Sequence, residues 1–198
     1  FEKLTFDVEK TAEKYHQSKA TALYLDTSVY VNPHPIRELR SALGNDALII
    51  YDASHTLGLI MAGQFQRPLE EGADVICANT HKTLPGPHKG LIAFRNNDLA
   101  KIAEPKIRLN LYSSVHTSSL LALAITILEF EKYGKAYAEQ VIKNSNALAI
   151  ALTKEGFDVR KASSNTYSNT HQVHLFTEAE NTVLVQRFLG NNISINTS

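Results

Sequence analysis

The chain has 198 residues, enough for one well-buried core or for one domain with part of a second. Its 43% hydrophobic and 20% charged residues are ordinary for a globular protein in water. Basic and acidic side chains balance at 20 each, so there is no electrostatic footprint for nucleic acid or an anionic membrane surface, and no apolar run nears the roughly 20 residues that span a bilayer.

In chain order, residues 1–4 carry neither a starting methionine nor a signal-peptide pattern, and an amphipathic segment begins at once. A helix is predicted over 8–17 with Asp7 as its N-cap, then a buried strand over 22–25. Pro33 and Pro35 forbid helix in the loop 28–35. A second helix follows over 36–43, stopped by Gly44, and a second apolar strand over 47–51. A short helix over 57–62 ends at Gly63, and a third strand occupies 73–78. Residues 90–94 form a fourth strand, antiparallel because only a tight turn precedes it. Helical periodicity then runs over 119–152, broken near Tyr133-Gly134, followed by strands at 157–160 and 172–176 and a helix over 178–189. Residues 192–196 read as a strand stopped in mid-structure, so the chain is expected to be a fragment. The alternation implies an α/β fold with a mostly parallel sheet over 1–125, then a connecting helix and the opening of a small C-terminal α/β domain over 126–198.

Thr80-His81-Lys82-Thr83-Leu84-Pro85-Gly86-Pro87 places a lysine in a loop after an apolar strand. Pro85-Gly86-Pro87 stiffens the turn beyond it. Most loop lysines are merely solvated, but Asp52 ends a neighbouring apolar strand and Ser28 follows another. Ligands of such sheets gather beyond the carboxyl ends of the strands. A lysine that forms a Schiff base with pyridoxal phosphate, opposite an aspartate that keeps the pyridine nitrogen protonated, accounts for the pair. Strand-end aspartates also cap helices, but Ser54 can cap the helix that follows and leave Asp52 available. His55 is either a core histidine of a first helical turn or a ring beside the cofactor.

Eight histidines raise the question of a metal. His171 and His174 would have opposite parity on a strand and face apart. His81 and His88 flank a proline-rich turn without thiolate or carboxylate partners at ligand spacing, so no metal site is expected. Cys77, the one cysteine, suits a reducing cytosol and is read as a small core residue. No glycine-rich nucleotide loop is present.

These segments resemble serine hydroxymethyltransferase and its relatives among the fold-type I pyridoxal phosphate enzymes. Residues 51–63 are similar to that family's Asp-x-Ala-His-x-x-Gly-Leu segment, with Ser54 between Ala53 and His55, and residues 80–87 to its Schiff-base segment. Asp26-Thr27-Ser28-Val29-Tyr30 resembles the loop whose serine meets the cofactor's phenolic oxygen. Asn169-Thr170-His171-Gln172-Val173 and the stretch 192–196 are similar to small-domain strands. Pro85 and His88-Lys89-Gly90 depart from the family's arginines and paired glycines, and Asn79 from its usual threonine. These departures look more like the related aldolases and threonine transaldolases.

The resemblance implies Lys82, Asp52, His55 and His81 as catalytic residues. It implies Lys82, Asp52, His55, Ser28, His81, Thr80 and Thr117 as contacts for pyridoxal 5'-phosphate. It further implies cleavage or formation of the Cα–Cβ bond of a β-hydroxy amino acid, with tetrahydrofolate as co-substrate or, alternatively, an aldehyde acceptor. A homodimer or larger assembly is implied too, with the hydroxyl-rich loop 113–119 near the neighbouring subunit's cofactor phosphate and Ser118 or Ser119 free to cap the helix. The phosphate cup and the substrate-gripping arginine that the resemblance implies do not lie within residues 1–198. A non-catalytic fragment is therefore the reading of another class, and a cytoplasmic location is expected.

Overall fold

Alternation in the strands decides which way the sheet faces. Leu23, Leu25, Ile49, Tyr51, Ile76, Ala78 and Thr80 point to one side, where Leu25, Ile49 and Tyr51 are wholly buried. A computed structural model describes residues 6–111, 114–178 and 180–196 of the chain. Its four-stranded sheet has the order β1-β2-β3-β4. β1 (Ala22–Asp26), β2 (Leu48–Asp52) and β3 (Val75–His81) are parallel, and β4 (Pro85–Phe94) runs antiparallel to β3. β4 begins at Pro85, five residues before the predicted start at Gly90. Proline is tolerated there because β4 is the edge strand.

The buried face meets helix α2 (Ile36–Leu43), whose Ile36, Leu39 and Leu43 recur at helical spacing and join Leu25, Ile49 and Phe130 in one core. Helix α1 (Val8–Gln17) packs on α2, and Asp7 caps it by accepting from the Lys10 amide at 3.0 Å. An ion network, largely buried at Arg40 and Asp74, ties α2 to the start of β3. Arg40 and Arg95 reach the two oxygens of Asp74 at 2.5 and 2.6 Å, and Asp74 also accepts from the Ile49 amide at 2.9 Å. The opposite face of the sheet is open, with Tyr24 54% and Ile92 46% exposed.

Two short helices, α3 (Leu57–Met61) and α4 (Pro68–Glu71), precede β3, and α5 (Asn97–Asn110) follows β4. α4 and α5 have no counterpart in the sequence reading. Helix α6 (Thr117–Lys154) is continuous, contrary to the predicted break at Gly134. The Phe130 ring, one turn back, covers the glycine so closely that a Cβ there would lie 2.6 Å from it. The missing side chain is thus filled by packing. The expected boundary at 125/126 falls inside this helix. Its first half packs on α3 and β4; its second meets β5 (Asp158–Val159), and Ser145 and Asn146 bond to the backbone of Thr170 and Ser168 at 2.7 and 2.8 Å.

β5 pairs antiparallel with β6 (Leu175–Phe176), a shorter element than the strand predicted over 172–176, and α7 (Asn181–Gly190) comes last. Residues 193–196 have no regular structure, so the predicted terminal strand is not formed. Among the described residues no helix is long and apolar enough to cross a membrane.

Candidate active site

Parallel pairing brings strand ends to one level. Asp26 is the Cα partner of Asp52, and Asp52 that of Cys77, so two acidic residues close β1 and β2 side by side. The Asp52 carboxylate accepts from the Ser54 amide at Oδ1 (2.9 Å) and from the Tyr24 hydroxyl at Oδ2. Burial acts to raise its pKa, but the bonds from Ser54 and Tyr24 and the Lys82 charge outweigh it and hold the carboxyl below its ordinary range. Asp52 is therefore ionised at neutral pH. Tyr24 is pushed the other way, by its bond to Asp52 and then by burial, and remains a protonated donor.

Lys82 occupies the turn between β3 and β4, with its Nζ 2.8 Å from Nε2 of His55 on the loop after β2. Burial first, and then the Lys82 charge, depress the His55 pKa, so the imidazole is neutral. The neighbouring residue fixes this meeting. The Thr83 hydroxyl donates to the His55 carbonyl at 2.8 Å and accepts from the Gly58 amide at 3.1 Å.

Ser28 lies at the same end of the sheet, where its hydroxyl donates to Asp26 Oδ2 at 2.7 Å. The other three expected residues have partners or settings of their own. Thr80 is wholly buried on the core side of β3, and its hydroxyl bonds to the Pro87 and Lys89 carbonyls at 2.6 and 3.1 Å, sealing the hairpin. His81 stacks on His88, with ring centroids 3.9 Å apart. Thr117 opens α6 as an exposed residue. Ser113 lies outside the described residues. His116, not Ser118 or Ser119, occupies the N-cap of α6. Nor does Ser54 cap α3: Thr56 holds that position, and the Ser54 hydroxyl accepts from the Asn79 amide at 3.2 Å.

The structure adds residues that sequence reasoning did not select. Tyr24 meets Asp52 from the adjacent strand, Asp26 holds Ser28, and Thr83 with Gly58 joins the lysine turn to the histidine loop. Strand parity put Tyr24 and Asp26 on one face, but no local signal gave the register that brings Tyr24 to Asp52. His171 was weighed only as a metal ligand on a strand. It precedes β6, so strand alternation does not apply, and its ring lies parallel to that of His55 at 5.9 Å. The clefts lined by Phe6, His34 and Arg37 and by Met61, Arg67 and Ile76 are elsewhere, and Lys82 itself is exposed.

A primary amine, an ionised carboxylate and a neutral imidazole at one end of a sheet fit pyridoxal phosphate. The amine suits its aldehyde, and the carboxylate its ring nitrogen. Residues 2–179 match the family model for serine hydroxymethyltransferase. The chain is 38% identical over 195 residues to fluorothreonine transaldolase of Streptantibioticus cattleyicolor, covering 98% of this chain and 30% of that protein. It is 38% identical over 178 residues to serine hydroxymethyltransferase of Pyrococcus horikoshii (87% and 41% covered). With the enzyme of Sulfolobus acidocaldarius it shares 42% over 161 residues (80% and 37%). The fold superposes on a crystal structure of L-threonine transaldolase from Pseudomonas fluorescens with a TM-score of 0.82 and 36% identity, covering 88% of this chain and 40% of that one. The chain thus spans 30–41% of the length of these relatives.

Proposed function

The chain belongs to the serine hydroxymethyltransferase family, and from that membership we propose that it carries the lysine side of a pyridoxal phosphate site acting on the Cα–Cβ bond of a β-hydroxy amino acid. The observation that carries this reading is the Lys82–His55 contact beside an ionised Asp52. When bound, the cofactor supplies an electron sink conjugated to the substrate's amino group. Lys82 is the residue that would hold it. The Asp52 carboxylate, kept ionised by Ser54 and Tyr24, would retain the proton on the pyridine nitrogen. His55, neutral in its surroundings, would take and return a proton at Nε2 beside Lys82 Nζ.

The acceptor is either tetrahydrofolate or an aldehyde. Likeness to two transaldolases, together with Pro85 and His88, favours aldehyde exchange. Serine consumption that requires folate would favour the hydroxymethyltransferase reading instead. We also propose that the protein is at least a dimer, because α6 leaves Leu121, Ile125 and Leu128 about 60% exposed or more beside Thr117. Sedimentation of a monomer that still holds the cofactor tightly would overturn that assembly.

The test of the site is direct. In the full-length protein Lys82→Arg should abolish the visible absorbance of lysine-bound cofactor while leaving the fold intact, since guanidinium is always protonated. An unchanged spectrum would move the attachment to another lysine, with Lys89 next to be examined.

A further inference from the structure

The segment that carries His171 is fastened to the loop that carries Ser28. Gln172 Nε2 donates to the Ser28 carbonyl at 2.7 Å, and the Asn169 amide to the Val31 carbonyl at 2.9 Å. The side chains of Asn169 and Asn32 meet at 2.9 Å, and Asn32 also donates to the Ala162 carbonyl at 3.1 Å. Thr170, wholly buried, is held from behind by Ser145 of α6 at 2.7 Å. His171 sits between these anchors. Its ring is 15° from parallel with that of His55 at a centroid distance of 5.9 Å, an offset stack. Its Nδ1 is buried and has no hydrogen-bond partner among the described residues, and its contact with His55 is a ring stack.

We propose that His171, delivered by the C-terminal segment, is a positioning residue of the lysine site, its ring holding His55 in the orientation in which Nε2 meets Lys82 Nζ. This rests on Lys82 as the cofactor lysine. The terminal torsion of a histidine is broad, so one contact at an edge leaves the imidazole free to swing about it. Lys82 supplies the edge contact and His171 the face. The charged and titratable groups around His55 are Lys82, Asp26, Asp52 and His171. Those around His171 are His55, Lys82 and His174. Burial, then His55 and Lys82, lower the His171 pKa to about 4. The stacked ring is therefore uncharged at neutral pH and adds no repulsion against Lys82.

Two measurements on the full-length protein test this. The first is the titration of the His55 ring in cofactor-free protein, by nitrogen-detected NMR. The second is the rate at which that protein captures pyridoxal phosphate, followed by visible absorbance. His171→Ala should raise the His55 midpoint by about half a pH unit toward its ordinary value as the ring is uncovered. Capture should slow about three- to tenfold, the range an aromatic pair supports. His171→Phe, which keeps the ring face, should restore both. Gln172→Ala loosens the anchor without touching His55, should shift the midpoint the same way, and serves if His171→Ala fails to fold. An unchanged midpoint in His171→Ala or Gln172→Ala, or a failure of His171→Phe to restore it, overturns the proposal. Borohydride reduction and peptide mapping of the parent protein test the Lys82 assignment separately. Attachment at another lysine would overturn that assignment and leave the His55 titration interpretable.

Discussion

Gly58 and Thr83 touch where no side chain fits between them: a Cβ on Gly58 would lie 2.2 Å from the Thr83 carbonyl oxygen. The contact is backbone against backbone, so no rotamer change relieves it. It sets the distance from the first turn of α3 to the turn that carries Lys82, and the Thr83 hydroxyl completes the link to the His55 carbonyl at 2.8 Å.

Gly58→Ala is therefore expected to push the lysine turn away from the histidine loop. A destabilisation of about 1–3 kcal/mol, the usual cost of overpacking, should appear in denaturant unfolding. Cofactor retention should fall beyond what that loss explains, because Lys82 Nζ leaves His55 Nε2. A variant as stable as the parent would show that the helix and turn separate freely.

Tyr24→Phe removes the donor on Asp52 Oδ2 and leaves Ser54 on Oδ1. Hydrogen bonds to charged groups are the stronger kind, so the cofactor should dissociate about tenfold faster. The thermal midpoint should barely move, since Tyr24 stands 54% exposed on the open face. Following loss of visible absorbance after dilution measures the rate, and an unchanged rate would separate Tyr24 from the function of Asp52.

Asp74→Ala leaves Arg40 buried without its carboxylate, although the Gly72 and Ala47 carbonyls still accept from it at 2.9 and 2.6 Å. Breaking a buried pair from one side costs about 3–5 kcal/mol. The Arg67–Glu70 pair is 67% and 63% exposed, so Glu70→Gln should change stability by less than about 1 kcal/mol. Urea unfolding of the two variants under one condition tests the contrast.

Acid should weaken the fold through His34, which is 4% exposed and edge-on to Phe6, Tyr30 and Tyr51. Burial lowers its pKa to about 4. Between about 6.5, the ordinary value, and that figure the unfolded chain binds a proton that the folded one refuses, so stability falls as pH falls through this window. His34→Phe should flatten the slope by up to about 1.4 kcal/mol per pH unit. Unfolding midpoints measured from pH 7 to 4.5 that run parallel for parent and variant would assign the acid sensitivity to other groups.

The sequence alone determined the succession of β1–β4 along the chain, the mostly parallel sheet and the placing of Lys82, Asp52 and His55 just past strand ends. Apolar periodicity and turn residues act between near neighbours in the chain, and they locate each strand to within a few residues before any packing occurs. Only the tertiary structure decided that Tyr24 supports Asp52, that Thr80 seals a hairpin, that His81 turns to His88 and that His171 lies on His55. It also kept α6 unbroken at Gly134 by laying Phe130 over it. These outcomes depend on strand register and on the approach of segments more than 100 residues apart, as with Ser28 and Gln172. Such contacts are selected by the shape and hydrogen-bonding needs of the assembled interior, and no local stretch of the chain encodes them by itself.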